Sequence, residues 1–362
     1  MKTQQKISLF QFILLISGIQ LSMVPIPKQL TVSAGTDGWI SLIIGYFIAI
    51  ITGLCAVQIY MKNPTYTLYD FFINYFGKWL GKTGVILWTM YFLYAVILFL
   101  FNALFITHIW ILPNMSAFWI MILFLIPTYM VVKSGVQVIG QYAVVVLPLG
   151  IISLILLAIP LKNGELIYML PVLKDGWLPI INSIKIAIKA FIGIEITLIL
   201  LPFLDVKQSA KKGIIIANTF TLIVYIYLFV ACSVYFSPDE ITKFLWPVLM
   251  LVKPIHFVFL ERFEIIYLAL FFMSYQMTIF MYCFAFKLNI SQLFQKKSWM
   301  LPLNVLFIFL IVSSIIFVPS SEQIKEMWEI FFRTGYIAVY AFPILFLIYV
   351  SVFTFLKRRE RL

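Results

Sequence analysis

Long apolar runs, separated by short polar segments, make up the chain from one end to the other. A helix of about 20 apolar residues crosses a bilayer, and on this measure the runs divide into ten predicted spans. The spans are Ser8–Leu30, Trp39–Met61, the two parts of Thr83–Val132 on either side of Leu112-Pro113-Asn114, Ser134–Leu161, Pro179–Leu204, Gly213–Phe236, Glu264–Leu288, Trp299–Val318 and Thr334–Leu356. The pattern therefore predicts an all-α polytopic membrane protein with ten transmembrane helices.

The polar segments between the spans are too short to build a separate soluble domain. We therefore predict a single integral membrane domain over residues 1–362, with helices 1–5 within about 8–161 and helices 6–10 within about 179–356. Lys62–Lys82 differs from the other connections because its apolar side chains recur at helical spacing. This spacing predicts a helix that lies along the membrane interface.

Composition agrees with a membrane protein and gives no sign of an enzyme. Hydrophobic residues make up 63% of the chain and charged residues 11%, whereas soluble domains carry roughly a quarter charged residues. Cys55, Cys232 and Cys283 lie inside apolar runs and are predicted to be core residues. There is no glycine-rich phosphate loop, histidine pair or nucleophile–base pairing in the sequence. We therefore expect no catalytic residues, no metal and no cofactor.

The excess of positive charge predicts the orientation of the chain in the membrane. If the N-terminus is cytoplasmic, the segments on that side hold sixteen of the 26 Lys and Arg residues but only three of the 14 acids. The sixteen are Lys2, Lys6, Lys62, Lys78, Lys82, Lys133, Lys207, Lys211, Lys212, Lys287, Lys296, Lys297, Lys357, Arg358, Arg359 and Arg361, and the acids are Asp70, Asp205 and Glu360. Because basic residues accumulate on the cytoplasmic side, both termini are predicted to be cytoplasmic. The net charge of +12 then implies contact with the lipid bilayer and no nucleic-acid partner.

Two similar interruptions occur in the first and sixth spans, at corresponding places in the two halves of the chain. Gly18-Ile19-Gln20-Leu21-Ser22 is matched by Gly193-Ile194-Glu195-Ile196-Thr197, and Pro25 and Pro202 follow. A glycine beside a polar side chain weakens a helix at membrane depth, where only protein or a cavity satisfies free backbone groups. Such breaks in both halves of a transporter indicate its binding site. Five spans per half make the predicted repeat inverted, with Gly18 and Gly193 close together near mid-membrane.

Polar residues at these interruptions are the candidate ligand-binding groups. Glu195 is placed where an ionised carboxylate is costly, and it either binds a ligand amine or proton, or is a hydrogen-bonded residue that fixes helix packing. Ser17, Gln20 and the backbone at Gly18 and Ile19 are predicted to bind a carboxylate. The alternative is that they form a close, glycine-mediated helix contact.

Further side chains are predicted to line the same pocket. Tyr94, Phe191 and Tyr275 complete the predicted ligand-binding set, although aromatic residues at such positions also serve as packing. Ser274 and Thr278 share a helix face and can offer oxygens to a small cation, unless their hydroxyls bond to their own helix carbonyls. Lys185 and Lys189 lie four residues apart in the sixth predicted span. They are predicted either to line an outward vestibule or to extend towards lipid headgroups.

Several short motifs resemble one membrane-protein family along nearly the whole chain. They are Lys6-Ile7-Ser8-Leu9-Phe10-Gln11, Gly38-Trp39-Ile40-Ser41, Gly77-Lys78-Trp79-Leu80-Gly81-Lys82, Leu170-Pro171-Val172-Leu173-Lys174-Asp175-Gly176, Pro202-Phe203 and Leu260-Glu261-Arg262-Phe263-Glu264. Their order and spacing resemble the GerAB-type B subunits of spore germination receptors, within the amino acid–polyamine–organocation transporter superfamily. The resemblance implies a 5+5 inverted repeat of the LeuT type with broken helices 1 and 6.

The resemblance also implies a function and partners. The implied function is the sensing of a small nutrient, which we interpret as an amino acid, in the spore inner membrane. The implied partners are an A subunit and a lipoprotein C subunit. One departure concerns the segment between spans four and five, where the family's Glu and Arg are replaced by Gln137 and Gln141. The sequence is also compatible with two other functions: a proton-coupled amino acid permease or exchanger with Glu195 as its proton site, and a scaffold that binds no ligand.

Overall fold

The computed structural model describes residues 6–22, 26–255, 262–294 and 300–359. Within these ranges the chain forms helices, short turns and one isolated bridge between Ile7 and Leu204, with no β-strand. The α-helices are α1 (Leu9–Gln20), α2 (Ile26–Ala34), α3 (Gly38–Lys62), α4 (Leu68–Trp110), α5 (Ala117–Ser134), α6 (Val136–Leu156), α7 (Trp177–Ala187), α8 (Thr197–Leu200), α9 (Ala210–Tyr235), α10 (Pro238–Lys243), α11 (Pro247–Val252), α12 (Phe263–Leu293), α13 (Met300–Ile316), α14 (Ser321–Gly335) and α15 (Phe342–Arg359).

Most of these helices belong to segments that are long and apolar enough to cross a membrane. The described residues contain seven such segments, and a further pair, Trp177–Phe191 with Ile194–Phe203, passes the same criterion as one span bent by 44°. Leu9–Gln20 and Pro302–Ile316 are apolar but shorter. The predicted all-helical, multi-span membrane protein is thus confirmed at this level.

The first predicted interruption lies later in the chain than Gly18. Ser8 caps α1, because its hydroxyl accepts the Gln11 amide at 3.2 Å while the Gln11 side chain accepts the Ser8 amide at 2.9 Å. The helix then continues through Gly18 and ends at Gln20. Gly18 serves close packing, since a Cβ atom there would lie 1.7 Å from the Met277 methyl carbon. Pro25 lies outside the described residues.

The second predicted interruption is present at Gly193. Helix α7 ends at Ala187 and a 3₁₀ turn follows over Ile188–Phe191. Gly193 has φ +115°, in the left-handed region that side chains other than glycine rarely adopt. The chain resumes as a 3₁₀ turn at Ile194–Ile196, followed by α8.

The polar segment before the third span packs against the last helix. It forms the first part of α4, which kinks at Gly77, where φ is +80°. Phe72 and Phe76 stack on Phe346, with ring centroids 6.0 and 5.6 Å apart. Trp79, which the helical spacing grouped with them, is 89% exposed.

The last segment that is long and apolar enough to cross a membrane begins at Ser321 rather than at the predicted Thr334. The reason is that an amphipathic helix precedes the apolar run. Ser320 caps α14, and the helix buries a stripe that includes Trp328 and Phe331 against α4. Its other face is charged, so hydropathy alone placed the boundary too late. A π-helical turn, Tyr336–Ala341, joins α14 to α15.

The two halves of the chain meet around α1 and α12. Helix α1 packs against α6, α9 and α12, while α12 also packs against α4 and α5. The residues before α1 are attached to the end of the broken sixth span. Ile7 donates its amide to the Phe203 carbonyl at 2.9 Å and accepts the Asp205 amide at 3.0 Å, and Lys6 pairs with Asp205 at 2.8 Å.

Candidate functional site

The two interruptions touch each other inside the bundle. A Cβ atom built on Gly193 would lie 2.6 Å from Ile19 Cγ2 and 3.5 Å from the Gln20 amide nitrogen. Glycine is required here both by the positive φ and by this close approach. The contact joins residues 171 or more positions apart in sequence, and it brings the end of α1 directly against the break in the sixth span.

Gln20 connects three elements at this contact. Its Nε2 atom donates to the Phe191 carbonyl at 3.2 Å and to Asn218 Oδ1 at 3.1 Å. Its Oε1 atom accepts from the Thr221 hydroxyl at 2.6 Å, and its backbone carbonyl accepts from the Tyr225 hydroxyl at 2.7 Å. A buried amide with all these bonds made holds α1, the second break and α9 in one arrangement.

Glu195 is buried, and its carboxylate is fully surrounded by donors. Oε1 accepts from the Tyr91 hydroxyl at 3.0 Å and from the Tyr282 hydroxyl at 2.8 Å, while Oε2 accepts from the Gly193 amide at 2.7 Å. The side chain thus closes the backbone of its own break and joins it to α4 and α12. A buried carboxylate is tolerated in a membrane protein when such partners replace water.

A central cavity of about 80 Å³ lies beside the end of α1. Its walls are apolar apart from hydroxyl groups, and they come from α1, α6, α9, α11 and α12. The lining residues are Gly18, Leu21, Ser22, Leu147, Gly150, Ile151, Ser153, Leu154, Val224, Tyr225, Leu228, Val248, Leu249, Tyr267, Phe271, Ser274 and Tyr275. Of the predicted site residues, the cavity therefore collects Gly18, Ser274 and Tyr275.

The other predicted residues lie around the contact between the breaks or beyond it. Ile19, Gln20, Phe191, Gly193 and Glu195 form that contact and are buried.

In two of the predicted residues the side-chain hydroxyl donates its hydrogen bond to a backbone carbonyl. The Ser17 hydroxyl donates to the Ile13 carbonyl at 2.8 Å. Tyr94 lies apart and donates to the Met327 carbonyl at 2.9 Å.

The two residues proposed for a cation do not point at one common space. The Ser274 hydroxyl bonds to the Leu270 carbonyl at 3.4 Å, one turn earlier in its own helix. The Thr278 hydroxyl bonds instead to the Ser22 hydroxyl at 2.6 Å, which links α12 to the residues after α1. Among the described residues, His, Cys, Asp and Glu side chains form no cluster of three that could hold a metal ion.

Sequence reasoning did not identify Asn218, Thr221 and Tyr225, which hold Gln20, or Tyr282, which holds Glu195 with Tyr91. Asn218, Thr221 and Tyr225 recur at helical spacing on one face of α9, so this polar stripe in an apolar span was a usable signal. Tyr282 follows Tyr275 by seven residues and shares its face of α12. That these tyrosines and amides contact the two breaks depends on packing between distant spans.

A second, larger space of about 540 Å³ lies between α2, α4, α7, α14 and the segment before α11. We call it the outer vestibule, after the orientation that the charge distribution predicts, and its lining includes Lys185 and Lys189. Asn102 separates it from the central cavity. Its Nδ2 atom donates to Tyr275 Oη at 2.9 Å, and its Oδ1 atom accepts from Trp328 Nε1 at 3.2 Å.

The departure from the family pattern falls at the start of α6. Gln137 and Gln141 are both exposed there. Replacement of two charged residues by glutamine at exposed positions leaves no buried charge without a partner. The change is therefore compatible with the fold.

Comparison with known proteins gives a consistent result. The sequence model for the family described as "Spore germination protein" matches residues 6–322. The spore germination protein GerQB of Bacillus cereus is 24% identical over 316 residues, which cover 87% of each chain. The spore germination protein YndE of Bacillus subtilis (strain 168) is 26% identical over 330 residues, or 90% of this chain and 89% of the relative. The match extends over most of the helical bundle, including both interruptions and the central cavity, and the chain belongs to the spore germination protein family.

Proposed function

We propose that the chain is the B subunit of a germinant receptor, which binds a small nutrient and passes the binding signal to partner subunits. The observation that carries the proposal is the central cavity, because it lies in the interior of a transporter-like bundle beside the end of a broken helix. Family membership supports a role in germination. The resemblance to GerAB-type subunits supports an A subunit and a lipoprotein C subunit as partners, in the spore inner membrane.

The proposed architecture is ten spans in a 5+5 inverted repeat with both termini in the cytoplasm. Seven long segments, one bent pair and two shorter apolar helices together amount to ten. The contact of Gly193 with Ile19 and Gln20 supports the pairing of the two broken spans. The distribution of lysine and arginine supports the orientation, which places the central cavity on the outer side of the breaks.

The proposed ligand is an amino acid with a small apolar side chain. The cavity walls are mainly aliphatic and aromatic, with the Ser22, Ser153 and Tyr225 hydroxyls among them. The sequence predicted that the first break binds the ligand's carboxylate through backbone amides, but α1 ends there at Gln20. Because a helix carries partial negative charge at its C-terminal end, the end of α1 favours the amine of the ligand instead. The predicted residues of the two breaks then contact the ligand or support the residues that do: Ser17, Gly18, Ile19, Gln20 and Glu195. The ligand's carboxylate accepts hydrogen bonds from hydroxyl or amide groups.

Ligand binding must favour one of two conformations if it is to produce a signal. The contact between the breaks is the proposed two-state element. Glu195, Gln20 and Gly193 close it in the structure described here, and a ligand in the neighbouring cavity shifts the position of α1. A ligand with equal affinity for both conformations would produce no response.

Filling the cavity tests this proposal. Val224 lines the cavity, whereas the adjacent Ile223 is 61% exposed and does not line it. We expect Val224→Phe to abolish germination of spores in response to single amino acids, measured as the loss of optical density. Ile223→Phe should leave the response unchanged.

The purified variants should behave in the same way in a thermal-shift screen against the twenty amino acids. A stabilising amino acid should act on the wild-type protein and on Ile223→Phe but not on Val224→Phe. Equal responses from both variants would remove the central cavity from the mechanism.

A proton-coupled amino acid permease or exchanger is the second candidate function. It is favoured by the direct contact between the linings of the two cavities, since Asn102 of the vestibule donates a hydrogen bond to Tyr275 of the central cavity at 2.9 Å. Accumulation of a labelled amino acid in liposomes that contain the purified chain would support the permease. Binding without uptake would support the receptor.

A further inference from the structure

We propose that the outer vestibule is a binding site for a small soluble organic carboxylate, which its lysine side chains recognise. The inference goes beyond the proposed function, because the vestibule and the central cavity have no lining residue in common. It stands whether or not the central cavity binds an amino acid.

Four lysines from three helical elements surround this one space. Lys28 belongs to α2, Lys185 and Lys189 belong to α7 and the turn after it, and Lys325 belongs to α14. Glu329 is the one acidic residue among the described lining residues. Since 11% of this chain is charged, four lysines around one space form a local concentration of positive charge.

The single acid offsets only part of this charge, because Glu329 interacts electrostatically with Lys189 but is one carboxylate among four lysines. Glu329 pairs with Arg333 on the same helix at 3.6 Å. The three salt bridges among the described residues include none of the four lysines. Like charges that face one cavity repel each other, and an anion between them would remove this repulsion.

Lys189 is the deepest of the four and is already oriented. It is half-buried, and its Nζ atom donates to Gln29 Oε1 at 3.1 Å and lies 4.6 Å above the centre of the Phe332 ring. An ammonium group has three N–H donors, so this position can still donate to a carboxylate. Lys28 is half-buried as well, whereas Lys185 and Lys325 are exposed. Positive charge thus extends from the exposed rim to the interior, which attracts anions from solution.

The remaining lining determines what kind of anion fits. Phe105, Trp246, Trp328 and Phe332 provide apolar and aromatic surface, and Asn102 provides a polar group. A volume of about 540 Å³ lies within the range of small-molecule sites, roughly 300–1,000 Å³. Walls from several helices favour a compact molecule with one or two carboxylates over a polymer.

Succinate and its neutral analogue succinamide provide a direct test. The full chain is purified and placed in nanodiscs of phosphatidylcholine, and its tryptophan fluorescence is followed because Trp246 and Trp328 line the vestibule. We expect a saturable change with succinate, none with succinamide, and weaker succinate binding as sodium chloride is raised.

Lysine variants then locate the site. Lys189→Gln should weaken succinate binding at least about tenfold, as expected for loss of a charge-assisted hydrogen bond, whereas Lys189→Arg should retain most of it. The double variant Lys185→Gln/Lys325→Gln changes only exposed side chains and should weaken binding too. Lys174→Gln, in the exposed connection before α7, is the matched control and should bind as the wild type does.

Lipid phosphate is the competing occupant, and added phosphatidylglycerol distinguishes it. If this lipid in the nanodiscs abolishes succinate binding at constant salt, the vestibule binds lipid headgroups and the proposal is wrong. It is equally wrong if succinate produces no change, or if the lysine variants bind as tightly as the wild type. The central-cavity variant Val224→Phe should bind succinate normally, so failure of one proposal can be told from failure of the other.

Discussion

At the scale of single residues, Glu195 shows how a carboxylate is kept inside a membrane protein. It accepts three hydrogen bonds, from two tyrosines and from the backbone of its own break. A substitution that removes one carboxylate oxygen leaves at least one of these donors without its acceptor, and an unsatisfied buried donor costs about 1–3 kcal/mol. Glu195 therefore stabilises the closed contact between the breaks as well as being a candidate ligand group.

Glu195→Gln should lower the stability of the purified protein by about 1–3 kcal/mol and abolish the germination response. Glutamine keeps one acceptor oxygen, and its NH₂ group must face either the Gly193 amide or the two tyrosine hydroxyls. The amount of protein in the membrane should hardly change, because insertion depends on the apolar spans.

Thermal unfolding in detergent measures the first effect. Glu165→Gln, at an exposed position between α6 and α7, is the control and should unfold at the wild-type temperature. A germination response equal to that of the wild type would exclude Glu195 from the mechanism.

Sequence identified Glu195 but not its environment. A lone acid in an apolar span is recognisable because its desolvation is costly anywhere in a membrane. Tyr91 and Tyr282, by contrast, are 104 and 87 residues away in sequence. In a chain with 19 tyrosines, only the packing of α4 and α12 selects these two.

At the scale of elements, the two broken spans have different causes. The sixth span is interrupted by backbone conformation at Gly193, whereas α1 remains helical through Gly18 and ends at Gln20. The glycine in each matched block was the right signal for a special position. The two glycines have different effects. Gly18 has no side chain and so permits a tight helix contact, whereas Gly193 permits a positive φ.

Gly193→Ala should be strongly destabilising for two additive reasons. The left-handed backbone costs about 1–3 kcal/mol for a residue with a side chain, and the new methyl group would also meet Ile19 at 2.6 Å. We expect a clearly larger loss of thermal stability than for Gly176→Ala.

Gly176 is a suitable comparison because it also has a positive φ, +74°, but has nothing within 4 Å of an added Cβ atom. The variant Gly193→Ala/Ile19→Ala should lose less stability than the sum of the two single variants, because Ile19→Ala removes the Cγ2 atom that the new methyl group would meet. If Gly193→Ala and Gly176→Ala lose equal stability, the contact between the breaks contributes nothing beyond backbone strain.

At the scale of the whole molecule, hydropathy located the long apolar segments of the described residues and was least accurate where a helix has two different faces. The final span begins at Ser321 because Trp328 and Phe331 are buried on one side of α14 while charged residues occupy the other. An average of hydropathy over both faces hides the apolar face of such a helix. Sequence grouped Lys185 and Lys189 as candidates for one vestibule, but it did not add Lys28 and Lys325, which reach the same space from α2 and α14.

The orientation in the membrane can be measured with single cysteines. In a variant whose native Cys55, Cys232 and Cys283 are alanine, Lys174→Cys should react with a membrane-impermeant maleimide in intact protoplasts. Lys78→Cys should react only after permeabilisation. Both positions are exposed, so burial does not protect either from the reagent.

The opposite labelling pattern would reverse the proposed orientation. It would also place the outer vestibule on the cytoplasmic side, where its anionic ligand would have to be a molecule of the spore interior.

The bridge between Ile7 and the end of the sixth span has a consequence for biogenesis. Its partners are about 200 residues apart, since Lys6 and Asp205 are separated by 199 positions. A chain made at roughly 5–20 residues per second reaches Asp205 about 10–40 s after Lys6 has been synthesised. During that interval α1 has neither its N-terminal attachment nor the Gly193 contact, so these two contacts fix its position only after the sixth span has been synthesised.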